Sequence, residues 1–204
     1  MNGATTKKPP IDQAPWSIQI LTTQHLIEGS FYADKNKVDG DDIFAQSAAE
    51  GKDDSEDGRI LEAFEGMRLM EARIQPTGNL TTQVQNFPGL ELPTFDQVVA
   101  IIPADQASLR SAQKAYKNYR YPLDAVIYAG HYLLRAKLLS DHVDASCSPF
   151  ANTWLVPLMN VMVDCQVQGA RLISFQVPWL LLNASLVHAF WVDGITPSVP
   201  REEN

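Results

Sequence analysis

His131, His142, Cys147 and Cys165 are of the residue types that hold zinc, and they gather in the second half of the chain. No two of them make a CxxC or HxxxH pair, so their spacing predicts two buried thiols and two turn or surface histidines rather than a metal site. Ser146, Cys147 and Ser148 beside His142 and Asp144 bring a nucleophile, a base and an acid close in sequence. Catalysis requires them to converge in space, and a polar loop has the same composition, so no catalytic residue is assigned and the chain is read as no enzyme.

Two loop motifs fail on their spacing. Counted as a calcium loop from Asp34, the fifth, sixth and twelfth positions are Val38, Asp39 and Ala45, where the rule needs an acid or amide, a glycine and an acid. Gly51-Lys52 imitates the end of a phosphate loop, but Gln46 stands for its first glycine and Asp53 for its hydroxyl residue. No cofactor is implied. The remaining candidate is a basic stripe, Arg110, Lys114 and Lys117 with Arg120, near Tyr116, Tyr119 and Tyr121, the combination that holds phosphates and stacks bases. A helix packed by its apolar stripe also turns such a face to water. The net charge of −8 disfavours nucleic acid as a partner.

The segments that would position these residues are mostly of period two. Ile18, Ile20 and Thr22 alternate with Ser17, Gln19 and Leu21, Thr23-Gln24 makes a turn, and the alternation resumes from Leu26 to Phe31 with a slip at Gly29 that predicts a bulge. Val126 to Tyr128 and Leu133-Leu134 flank a second turn at Ala129-Gly130-His131. Further strands are predicted at 67–75, 80–92 with a break at Phe87-Pro88-Gly89, and 98–102; their partners are 158–166, 172–182 with a break at Pro178, and 186–192. The shared order predicts a tandem repeat, residues 15–105 and 122–193, with five short strands in each copy.

Residues 34–59 hold nine acids against four bases, and the acidic segment 34–63 is predicted as a flexible loop between the second and third strands. Residues 141–154 span the same place in the second copy and should be ordered. Residues 106–121 predict a linker helix capped by Ser108 and stopped by Pro122. The tails 1–14 and 194–204 are predicted to be disordered. The N-terminal residues lack the apolar run of a secretory signal, and Leu172 to Val192 reads as two strands around a turn rather than a membrane span, so a cytoplasmic chain with reduced thiols is expected.

With its first hairpin carried by Ile18, Ile20, Thr22, Leu26, Glu28 and Gly29, and Leu182 to Val192 placed as a fourth-strand turn and fifth strand, each copy resembles the Sm-like fold of the SH3-type small barrels. The resemblance implies a mainly β chain of two tandem five-stranded barrels joined by a short helix. It also implies edge-to-edge association, either as a ring or between the two copies. The RNA-binding pattern of that family is missing: neither 91–97 nor 181–186 contains an Arg-Gly pair, and Asn160 is the one near match in the third strands. Excess hydrophobicity in the second copy marks Trp154, Met159, Trp179, Leu181 and Trp191 as candidates to meet the other copy or another chain. The expectation is a non-enzymatic interaction or scaffold module, a homo-oligomer or bound to another protein. An RNA-binding Sm-like protein is the alternative.

Overall fold

The computed structural model describes residues 16–31, 67–77, 84–92, 96–117, 119–140, 150, 155–167 and 170–193. The expected tails, the acidic segment 34–63 and most of 141–154, including Trp154, His142 and Cys147, lie outside them. The elements are β1 (Trp16–Thr22), β2 (His25–Phe31), β3 (Met67–Pro76), β4 (Gln85–Leu92), β5 (Val98–Pro103), α1 (Gln106–Ala115), β6 (Tyr121–Ala129), β7 (Tyr132–Ser140), β8 (Leu155–Val167), β9 (Ala170–Asn183), a 3-10 turn (Ala184–Leu186) and β10 (Val187–Val192).

All ten strands form one antiparallel sheet, in the order β10-β6-β7-β8-β9-β5-β1-β2-β3-β4. In place of two closed barrels, the sheet is continuous through the β5–β9 pair and, among the described residues, ends on β10 and β4. The physical reason lies in those two central strands. Val98, Val99, Ala100, Ile101 and Ile102 are all buried, with Val98 and Ile101 in one core and Val99, Ala100 and Ile102 in the other. Likewise Trp179 and Leu181 of β9 enter the first core while Leu180 and Leu182 enter the second. Strands apolar on both faces need cover on both, and here each is shared by two cores.

The strand order reads the same in both runs of five, and so do the irregularities. β1 and β5 slip register between Leu21 and Thr22; β6 and β10 slip between Tyr128 and Ala129, facing the step from Val187 to Ala189. The β2–β3 ladder skips a residue at Gly29, and the β7–β8 ladder does so at Ala136. Opposite these skips Glu71 and Asn160 both take positive φ, 53° and 51°. On their other side the ladders omit Pro88 and Pro178, which lack the N–H that a ladder bond would need. The two prolines therefore sit inside continuous strands, where a break was expected. At Gly29 a Cβ would lie 3.0 Å from the Leu69 Cβ, which accounts for glycine at this bulge.

The helix ends sooner than the sequence suggests, and its cap lies earlier than Ser108. Asp105 is its N-cap, accepting from the Ser108 N–H at 2.7 Å, and Tyr116 is its C-cap. Ser108 is buried in the first turn. Ala112 and Tyr116 pack α1 into the first core, where Tyr116 lies against Trp179 at 5.7 Å between ring centroids.

Candidate interaction surface

The chemistry-bearing residues separate into a buried latch and an exposed edge. In the latch, Tyr132 at the start of β7 donates through its hydroxyl to the Thr22 carbonyl oxygen at 2.8 Å and meets the Thr77 hydroxyl at 3.0 Å. A phenol has one proton, so Thr77 donates in the second contact. These bonds tie the second run of strands to the ends of β1 and β3. Burial pushes the Tyr132 hydroxyl far above its ordinary range, and the Thr77 bond only partly opposes this. Burial also raises the Cys165 thiol, again with Thr77 opposing it. Both groups are therefore neutral in the folded chain. A buried, protonated thiol is a poor nucleophile, so the latch is structural in character.

Asn183 makes a second cross-tie. Its amide donates to the Val98 carbonyl oxygen at 2.9 Å, while its side-chain oxygen accepts from the Ser185 N–H and caps the 3-10 turn. Asp164, buried in β8, is held by Arg135 of β7. His131 is exposed in the hairpin turn beside Gly130, whose φ of 58° suits a residue without Cβ. No group of three His, Cys, Asp or Glu residues able to hold a metal occurs among the described residues. Among them, too, no helix is long and apolar enough to cross a membrane.

The exposed edge is aromatic. Trp191 is 56% exposed and Phe190 40% on β10, with Tyr128 46% exposed on the adjoining β6. Tyr128 is paired with Ala189 and Val126 with Trp191, which puts Tyr128 and Trp191 on one face of the β6–β10 pair; Phe190, paired with Ile127, is on the other. Phe150 packs edge-on to Phe190 at 4.7 Å between centroids.

Of the interaction candidates, Trp179 and Leu181 are buried in the first core and join the two runs of strands, and Met159 packs half-buried against the same core. Trp191 alone of the four described is strongly exposed. Tyr128 and Phe190 were not singled out from the sequence, because their alternation is that of any half-buried strand, and exposure depends on what covers each face of the sheet. The basic residues Arg110, Lys114, Lys117 and Arg120 are all exposed on or just after α1, and Arg120 Nε donates to the Lys117 carbonyl oxygen.

No protein-family model, no curated protein and no solved structure matches the chain.

Proposed function

We propose that this chain is a non-enzymatic interaction or scaffold module, built from two Sm-like five-stranded units in tandem and associating with itself through hydrophobic strands. The observation that carries the reading is the aromatic edge of β10 and β6, where Trp191 and Tyr128 lie exposed and β10 has, among the described residues, one neighbouring strand. Apolar surface concentrated at a sheet edge is the setting in which strands recruit further strands. The tandem arrangement is supported by the repeated strand order, the recurring bulges and the prolines facing Glu71 and Asn160. The reading places the module in the cytoplasm, in keeping with the buried thiol of Cys165.

A native mass spectrum of the full chain, repeated over a range of concentrations, tests the proposal. Species of two or more chains are expected. A chain that remains monomeric up to its solubility limit overturns self-association. The exposed stripe of Arg110, Lys114 and Lys117 favours RNA binding as the second reading. That reading requires RNA-bound mass and binding that weakens steeply with salt.

A further inference from the structure

We infer that the basic face of α1 is the docking surface for the chain's own acidic segment, residues 34–63, which lies against it within one molecule. Arg110, Lys114 and Lys117 recur at i, i+4 and i+7 and so share one face of the helix, and all three are exposed. Ala112 and Tyr116 take the opposite face into the first core. From Gln106 to Arg120 the chain has four bases and no acid. The ion pairs between described residues are Arg73–Glu28, Arg135–Asp164 and Lys137–Asp124, and none of them includes a base of this stretch. A face of like charge is thus left without an opposing one, on a chain whose net charge is −8.

The fold brings the opposing charge to the same place. Trp16 is paired with Phe31, Phe31 with Leu69 and Met67 with Leu92, so the acidic segment leaves β2 and enters β3 at the end of the first run where β1 begins. α1 starts at that end as well. Ile18 is paired with Pro103, the Ala104 N–H donates to the Ser17 carbonyl oxygen at 2.9 Å, and the helix follows from Gln106. Trp16, Phe31 and Leu92 pack in or against the same core as Ala112 and Tyr116.

Residues 34–59, joined to the sheet on both sides, hold nine acids against four bases. Half of the connection between β2 and β3, drawn out, spans on the order of 50 Å, against about 15 Å for the whole of α1. A single exposed ion pair contributes little. Tethering changes the balance, because a segment fixed at both ends meets the helix at an effective concentration on the order of 1 mM, and several weak pairs form together. A polyanion must then displace the segment to reach Arg110, Lys114 and Lys117. The contact is independent of self-association.

The test is carbodiimide cross-linking of the full-length chain, read by mass spectrometry on an equal mixture of isotope-labelled and unlabelled protein. The Lys137–Asp124 pair, 2.6 Å apart, is the internal standard. Lys114 and Lys117 are expected to link to acids of 34–63 within chains of one label, with a yield that falls at high salt, where the Debye length shrinks to about 3 Å. Links formed mainly between chains of different label would overturn the intramolecular contact in favour of exchange between copies. Absence of links while Lys137 and Asp124 are joined would overturn the inference altogether. Heparin supplies a second readout. Neutralising three acids of the segment, Asp53→Asn, Asp54→Asn and Asp57→Asn, should tighten heparin binding about 5-fold or more. Neutralising three exposed acids elsewhere, Glu91→Gln, Asp96→Asn and Asp193→Asn, changes the net charge equally and should tighten it much less. Equal tightening by both sets, or no binding by the segment variant, would overturn the docking.

Discussion

Trp179 and Trp191 lie on apolar strands consecutive in the chain but far apart in the sheet, and the structure gives them opposite fates: one is 1% exposed and the other 56%. Trp179 joins α1 to the sheet through Tyr116, and with Leu181 it brings β9 into the core of the first run of strands. Trp179→Ala leaves a void bounded by a helix and two sheet strands that cannot close over it. The cost expected for such a truncation is about 3–5 kcal/mol. At roughly 2–4 °C per kcal/mol for a chain of this size, the melting temperature should fall by roughly 6–20 °C. Trp191→Ala removes a side chain already largely in water, and should cost no more than ~0.5 kcal/mol. The assay is urea unfolding followed by far-ultraviolet circular dichroism, at protein concentrations low enough that association adds nothing to stability. A loss below about 1 kcal/mol for Trp179→Ala would refute the shared core. So would equal losses for the two variants.

Tyr132→Phe should destabilise the chain by about 1–3 kcal/mol, because the buried Thr22 carbonyl loses its donor; a neutral result in the same unfolding assay would remove the latch. The pH dependence has a definite sign. Tyr132 and Cys165 both have folded-state values raised above their ordinary 10.0 and 9.0, so their contribution is complete at neutral pH and declines as the pH rises past 9 to 10. Stability measured from pH 7 to 11 should fall at the alkaline end, and Cys165→Ala combined with Tyr132→Phe should flatten that fall. Gly29→Ala should cost on the order of 1–2 kcal/mol, since Leu69 and the Met70 carbonyl must move; a thermal melt unchanged from wild type would contradict the close approach at the bulge. Changing Arg110, Lys114 and Lys117 together to Glu should leave association unaltered, because they are exposed on or just after a helix that packs against β1 and β5 in the middle of the sheet; loss of a bound polyanion in a salt titration would revive the RNA reading.

Local patterns made several elements legible in the sequence. Alternation from Ile18 to Phe31 gave both strands of the first hairpin, the slip at Gly29 marked its bulge, and Ala129-Gly130-His131 marked the second turn. The apolar spacing around Ala112 and Tyr116 indicated α1, although its cap lies at Asp105, since an aspartate just before the helix competes well with Ser108 for the free N–H groups. Pro88 and Pro178 were misleading as strand breaks. A proline is tolerated inside a strand where its partner is already bulged out of the ladder, and the positive φ of Glu71 and Asn160 is a property of the neighbouring strand. For the surface, Trp191 was recognisable as apolar and Trp179 equally so.

The sequence by itself determined that the chain is built of antiparallel strands, where most of them turn, and that its later strands are apolar on both faces, because each of these depends on residues a few positions apart; it did not foresee the length of β8 and β9, 13 and 14 residues. Only the tertiary structure decided that β5 and β9 pair to make one sheet of ten strands instead of two closed barrels. The same long-range pairing sealed Trp179 inside the chain and left Trp191 at its edge, for a side chain's burial is set by which strand lies beside it, and the periodicity of a strand contains no information about its neighbour.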